Sequence, residues 1–199
     1  MNIGIYGGSF NPPHNGHLML AKELGSKLGL HKIIIIPSNI SPQKDNNGNI
    51  DPVHRLNMCK TAFSDGIFEV SDCEIKRGGR SYTIDTLTFL RSVYQDASFY
   101  LFMGSDMLLS FDTWYRFSDI LDMCTVCAIS RSGEENADKM REYVKNTLHS
   151  VNVKIFDVQP FEVSSSEIRG KIENGESCQG LLPGSILSYI KENKLYGKC

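Results

Sequence analysis

No apolar stretch in the chain approaches the roughly 18 to 20 residues that a membrane-spanning helix requires, so such a helix is ruled out. Met1 to Phe10 carries no basic segment running into an apolar one, and a cytoplasmic protein is expected. Charge of neither sign is in surplus: 21 Lys and Arg stand against 23 Asp and Glu, a formal net charge of −2. A protein built to grip nucleic acid would gather a basic excess on one face, so small molecules are the expected partners. The six cysteines, at 59, 73, 124, 127, 178 and 199, follow no framework spacing and are expected to be free thiols. Cys124 and Cys127 do form a C-x-x-C, but inside an apolar run that reads as a strand, where residues three apart face opposite ways. Two phosphate motifs are missing as well. There is no G-x-x-x-x-G-K-[ST] and no G-x-G-x-x-G, which removes kinase-like and dinucleotide-dehydrogenase readings.

What is present suits one compact core. The 199 residues are 41% hydrophobic and 22% charged, ordinary globular values, and are read as a single domain spanning 1–199. Short β-branched or aromatic runs are predicted as strands at Asn2–Tyr6, Lys32–Pro37, Phe68–Ile75, Ser98–Met103, Cys124–Ser130 and Val153–Val158. Helices are predicted between them, at Gly16–Leu28, Val53–Ser64, Tyr82–Tyr94, Arg116–Asp122, Ala137–Leu148, Ser166–Asn174 and Ser185–Asn193. Runs such as Ile33–Ile36 are apolar at every position, as strands covered on both faces are. The class is therefore α/β: a doubly wound, Rossmann-like parallel sheet with helices on both faces and short C-terminal helices. One long irregular loop, Ser38 to Asp51, reads as an active-site flap.

Ligands of such sheets bind beyond the carboxyl ends of the strands, where the first strand runs into Gly7-Gly8-Ser9-Phe10-Asn11-Pro12-Pro13-His14-Asn15-Gly16-His17. Paired glycines let backbone amides approach a phosphate, and the helix N-terminus beyond adds partial positive charge. His14 and His17 fall one turn apart on one side of that helix, with the small Gly16 between them, so two ring donors converge on one ligand. Metal binding fits poorly, because the spacing brings no Cys, Asp or Glu ligand with it. A second cluster, Ser164, Ser165 and Ser166 followed by Arg169, puts hydroxyls and amides at another helix start, with a guanidinium one turn inside.

These residues resemble the nucleotidyltransferases with an H-x-G-H signature, and within them the bacterial nicotinate-nucleotide adenylyltransferases, over nearly the whole chain. Gly7 to His17 is similar to G-G-x-F-[DN]-P-x-H-x-G-H, with Asn11 where Asp is usual. Val163 to Arg169 resembles I-S-S-T-x-I-R, with Val and Ser replacing Ile and Thr. Arg80 to Leu87, Met103 to Asp106 and Thr113 to Tyr115 resemble the subfamily's S-Y-T-x-x-T-L, G-x-D and T-W-Y segments.

The resemblance implies transfer of AMP from ATP to nicotinate mononucleotide, with catalytic roles for His14, His17, Lys44 and Arg169. It implies ATP contacts at Gly7, Gly8, Ser9, Phe10, Gly16, Gly104, Asp106, Ser164, Ser165 and Ser166. Mononucleotide contacts are implied at Asn39, Thr83, Ile84, Trp114 and Tyr115, with the Trp114 ring as a stacking platform and the backbone N–H groups near Ile84 and Tyr115 receiving the nicotinate carboxylate. Lys44 follows Gln43 where a histidine is often found. Mg²⁺ is expected to be held mainly by the ATP phosphates, with no dedicated protein metal site; no nucleic acid or membrane is implied, and a homo-oligomer is left open. Rival readings are an adenylyltransferase for nicotinamide mononucleotide or phosphopantetheine, and a catalytically silent nucleotide sensor. A class I tRNA synthetase fragment is a weaker rival, since its K-M-S-K-S loop is missing.

Overall fold

The computed structural model describes residues 1–42, 50–130, 134–158 and 163–197. Its strands are β1 (Asn2–Gly8), β2 (Lys32–Pro37), β3 (Phe68–Val70), β4 (Ser98–Gly104), β5 (Thr125–Ser130) and β6 (Val153–Asp157). The helices are α1 (Asn15–Lys27), α2 (Pro52–Ala62), α3 (Cys73–Arg77), α4 (Thr83–Val93), α5 (Ser105–Leu108), α6 (Phe117–Met123), α7 (Glu134–Tyr143), α8 (Ser165–Glu173) and α9 (Gly184–Glu192). The strands form one sheet in the order β3-β2-β1-β4-β5-β6, and every pairing is parallel. That is the doubly wound α/β, Rossmann-like topology the sequence predicts. No helix among the described residues is long and apolar enough to cross a membrane.

Alternation within each strand builds the two core layers. Ile3, Ile5, Ile34, Ile36, Leu101, Met103, Val126 and Ala128 face one side, under Ile84, Leu87 and Leu90 of α4 and Ile120 of α6. Their neighbours Tyr6, Ile33, Ile35, Phe102, Cys127 and Ile129 face the other, under Leu20 and Leu24 of α1 and Cys59 of α2. Because both sides are covered, the strands are apolar at successive positions. Gly4 is needed for its lack of a side chain, since a Cβ there would sit 2.8 Å from both Leu30 and Phe102. The C-terminal helices α8 and α9 close a third cluster against Met58 of α2, through Ile168, Ile186, Ile190 and Leu195.

α5 has no counterpart in the sequence reading, and two predicted elements differ from it. The strand expected over Phe68–Ile75 stops at Val70, and Cys73–Arg77 is a helical turn instead. The Ser71 hydroxyl accepts from the Cys73 amide, basic residues fill the last turn, and Gly78 ends it at φ 72°. Composition reads as a strand, but the Ser71 turn, the charge order and the glycine stop favour a helix. In the stretch expected as one helix over Ala137–Leu148, α7 ends at Tyr143 and a single π turn, Val144–Leu148, follows. Leu148 is thereby buried, a displacement of register that periodicity cannot anticipate.

The five described cysteines are free thiols. Cys124 packs in one core layer and Cys127 in the other, and burial pushes both thiols up to about 12. They are inert packing groups.

Candidate active site

The chain winds in opposite directions from β1 and β4, and the cleft at their carboxyl ends is the switch point where open α/β sheets bind ligands. Two adjoining cavities occupy it. The larger, about 360 Å³, is bounded by the Gly7–Asn11 loop, His14, His17, Gly104, Asp106, Ser164, Ser165, Ser166 and Arg169. The smaller, about 80 Å³, is bounded by Ser38, Ser41, Glu74, Ser81, Thr83 and Trp114. Gly7, Gly8, Ser9, Phe102 and Met107 border both. Two ligands placed in the two cavities would therefore meet over one short backbone segment.

β1 extends through Gly8, so the glycines finish the strand rather than form a turn. A Cβ on Gly7 would meet nothing within 4 Å, which leaves backbone open to a ligand. The chain then bends at Phe10, whose φ of 46° is unusual for a bulky residue. Its buried ring holds that bend by edge contacts with Tyr6, His17 and Phe63, with centroids 5.4, 5.0 and 5.9 Å away. Phe10 thus buttresses the loop from beneath.

His14 caps α1 and His17 lies one turn inside, with ring centroids 3.6 Å apart. The His14 backbone N–H donates to His17 Nδ1 at 3.1 Å. An accepting Nδ1 places the ring proton on Nε2, so the helix cap itself sets the tautomer in which His17 is a donor.

The second serine cluster docks on this loop from α8. Ser164 accepts from the Glu167 amide as N-cap. The Ser165 hydroxyl donates to the Pro12 carbonyl at 2.9 Å. Arg169 donates from Nη1 to the Asn11 carbonyl at 2.8 Å and from Nη2 to Ser166 Oγ at 3.2 Å. Ser164 and Ser166 accept in these bonds and so keep their hydroxyl hydrogens, while that of Ser165 is committed to the loop. Among the described residues, two of the five guanidinium N–H groups are engaged, which fixes the plane of the fork and leaves donors that suit an anion.

Around the smaller cavity, the Trp114 ring packs on Phe111 at 5.1 Å, and its buried Nε1 has no hydrogen-bond partner among the described residues. Thr83 opens α4, whose N-cap residue Tyr82 makes no side-chain cap bond. The first-turn amides there lack intrahelical acceptors. Glu74 is 6% exposed; burial raises its pKa, opposed by hydrogen bonds from Thr86 and Ser81. The Thr86 hydroxyl donates to it at 2.6 Å.

Some expected residues are not at the cavities. Asn39 donates from its backbone N–H to Ser81 Oγ and from Nδ2 to the Gly79 carbonyl, so it ties two segments together and borders neither cavity. The Ile84 side chain is buried in the core, leaving only its backbone to face a ligand. Tyr115 is 58% exposed and rests against Tyr82 at 5.0 Å. Gly16 borders neither cavity, and its place is inside the first turn of α1. Lys44 and half of the expected flap fall in 43–49, outside the described residues.

Sequence reasoning missed Arg55, a charged side chain only 1% exposed. It donates to the carbonyls of Ser9, Asn39 and Ile50 at 2.8, 3.1 and 3.4 Å, bracing both sides of the cleft from α2. Its signal was a basic residue on the stripe that also buries Leu56 and Cys59. Glu74 and Tyr196 were missed too.

Comparison with known proteins adds an independent line. A family model described as cytidylyltransferase-like matches residues 5–171. A probable nicotinate-nucleotide adenylyltransferase of Lactiplantibacillus plantarum is 35% identical over 98% of this chain and 87% of its own. One from Bacillus licheniformis is 37% identical over 98% and 97%. Among solved structures, a Plasmodium falciparum nicotinic acid mononucleotide adenylyltransferase complexed with NaAD superposes with a TM-score of 0.78 at 20% identity, covering 98% of this chain and 97% of that one.

Proposed function

The chain belongs to the cytidylyltransferase-like family and, within it, to the nicotinate-nucleotide adenylyltransferases, and from that premise we propose that its two cavities carry out adenylyl transfer from ATP to nicotinate mononucleotide. The products are deamido-NAD and pyrophosphate. The observation that carries this reading is the shared Gly7–Ser9 wall between a cavity rich in anion donors and a smaller one bordered by an indole.

ATP occupies the larger cavity. Its phosphates meet the Gly8–Phe10 backbone, the α1 and α8 N-termini, His14, His17 and Arg169, while Gly104 and Asp106 lie toward the ribose. The mononucleotide lies beside Trp114, with its carboxylate toward the start of α4. A phosphate oxygen of the mononucleotide attacks the α-phosphorus; the new O–P bond forms as the bond to the β-phosphate oxygen breaks, and pyrophosphate leaves with that electron pair. The attacking phosphate is already anionic near neutral pH, so no general base is needed. Catalysis reduces to in-line positioning and neutralising charge on the α-phosphate and the leaving group. His17 Nε2–H suits the first, and Arg169 the second. Burial of Glu74 raises its pKa and so works against a second negative charge beside the acidic substrate, while the hydrogen bonds from Thr86 and Ser81 act in the opposite sense.

The donors around the larger cavity are imidazoles, hydroxyls, amides and a guanidinium, with Asp106 the one carboxylate among its described residues. Such a set fits Mg²⁺ delivered on the phosphates and hydrated, with Asp106 the nearest carboxylate; when bound, the ion would offset charge on the triphosphate. A cytoplasmic location belongs to the same reading.

The test is pyrophosphate release by purified protein from ATP with nicotinate mononucleotide. Release that requires the acceptor supports the reading; ATP binding without release would assign a nucleotide sensor instead.

A further inference from the structure

The loop bearing the first histidine is also held from the far end of the chain. Beyond α9, Lys194 and Tyr196 both sit in the left-handed region, at φ 50° and 65°. Side chains adopt that backbone only where their surroundings hold them in it. Here Leu195 is buried with Ile186 and Ile190 in the third cluster, and the hook returns the Tyr196 phenol to the cleft. Its hydroxyl lies 2.7 Å from Asn11 Oδ1, across 185 positions of sequence.

Burial pushes the phenol well above its ordinary pKa, with Arg169 and Arg55 acting in the opposite sense. The hydroxyl therefore keeps its proton and donates, which fixes Asn11 Oδ1 as the acceptor. Asn11 is 3% exposed and borders the larger cavity. Its backbone carbonyl is the same atom that receives Arg169 Nη1 at 2.8 Å. A line of direct contacts thus runs from the tail through Asn11 to the guanidinium. The smaller cavity includes none of these three residues.

We propose that Tyr196 is a positioning residue for the nucleoside triphosphate: through Asn11 it holds the carbonyl on which Arg169 is aimed. This rests on the adenylyl-transfer reading above. A phenol bonded to a buried amide removes one of that residue's rotational freedoms, and small displacements of a phosphate clamp are costly to in-line geometry. The consequence falls on one substrate only, because Asn11 and Arg169 face the larger cavity alone.

Tyr196→Phe deletes the hydroxyl while keeping the ring and Leu195. KM for ATP should rise about tenfold and kcat should fall, with KM for nicotinate mononucleotide unchanged. In an Asn11→Ala background the same substitution should have no further effect, since the contact through which it acts is gone. If the tail were merely structural, both KM values and the thermal midpoint would move together and the two substitutions would add; either result overturns the proposal. Calorimetric titration with ATP alone gives a second reading, with about tenfold weaker binding expected for Tyr196→Phe. Wild-type protein that binds ATP but transfers to no acceptor would defeat the functional reading, and the calorimetry would still decide Tyr196. A normally active wild type alongside a variant that binds ATP as tightly would defeat the Tyr196 role alone.

Discussion

His17 owes its chemistry to a backbone hydrogen bond. With Nδ1 accepting from the His14 amide, Nε2 carries the ring proton, and in the proposed reaction that N–H meets charge growing on the α-phosphate, the arrangement in which a donor contributes most. His17→Ala is expected to lower kcat by roughly 10² to 10³ with little change in thermal midpoint; retention of half the wild-type kcat would remove the role. Trp114 makes a different claim, since its ring borders the smaller cavity and also packs on Phe111. Stacking on an aromatic face is worth about 1 to 3 kcal/mol per base, so Trp114→Ala should raise KM for the mononucleotide about tenfold and leave KM for ATP nearly unchanged. Equal effects on both would reduce Trp114 to packing. Glu74 gives a prediction in pH. Its folded pKa is raised, chiefly by burial, so the native state holds a proton that the unfolded chain has lost. The associated stability is present at low pH and is lost as pH rises through the raised value. Glu74→Gln keeps an acceptor for Thr86 and cannot ionise, so its melting temperature should gain on wild type as pH rises above the ordinary carboxylate range and through the raised value; a constant difference would contradict this. The histidines, serines and Arg169 were legible in the sequence because each motif is local, spaced by one helical turn. Arg55, Glu74 and Tyr196 were not, because what matters in them is a partner 12 to 185 positions away.

At the scale of elements, the site is a junction of helix starts. α1 and α8 begin at the same loop, joined by Ser165 to Pro12 and Arg169 to Asn11, so the two signatures, about 150 residues apart, form one wall of the larger cavity, the phosphate cradle of the proposed reaction. That arrangement separates geometry from charge. Arg169→Lys should recover little of the activity lost in Arg169→Ala, because an ammonium cannot hold the Asn11 carbonyl, Ser166 and a phosphate in one plane; full recovery, read as kcat/KM for ATP, would show that charge suffices. The doubly wound order was readable from strand-helix alternation and from strands apolar on successive positions. What was not readable was where the third strand ends. Phe68–Ile75 has the composition of a strand, but a turn in which Ser71 Oγ accepts from the Cys73 amide and a glycine at positive φ frame α3 in its second half, and this helix is what delivers Glu74 to the smaller cavity.

For the molecule as a whole, function follows from two cavities at one switch point with a common wall, and the choice of acceptor follows from the walls of the smaller one. The start of α4 offers backbone N–H groups and a favourable dipole to a carboxylate. An amide would turn its own N–H donors toward them, leaving polar groups unpaired. Near-neutral charge made a small molecule the expected partner and the missing phosphate motifs set aside kinase-like and dehydrogenase readings, while the division of the cleft into two unequal parts needed the fold. The most direct measurement is kcat/KM of the purified protein with ATP and each of three acceptors: nicotinate mononucleotide, nicotinamide mononucleotide and phosphopantetheine. The account predicts that nicotinate mononucleotide exceeds the amide by about 10²-fold, roughly 2.7 kcal/mol, and that phosphopantetheine is not used. Equal use of acid and amide would contradict it.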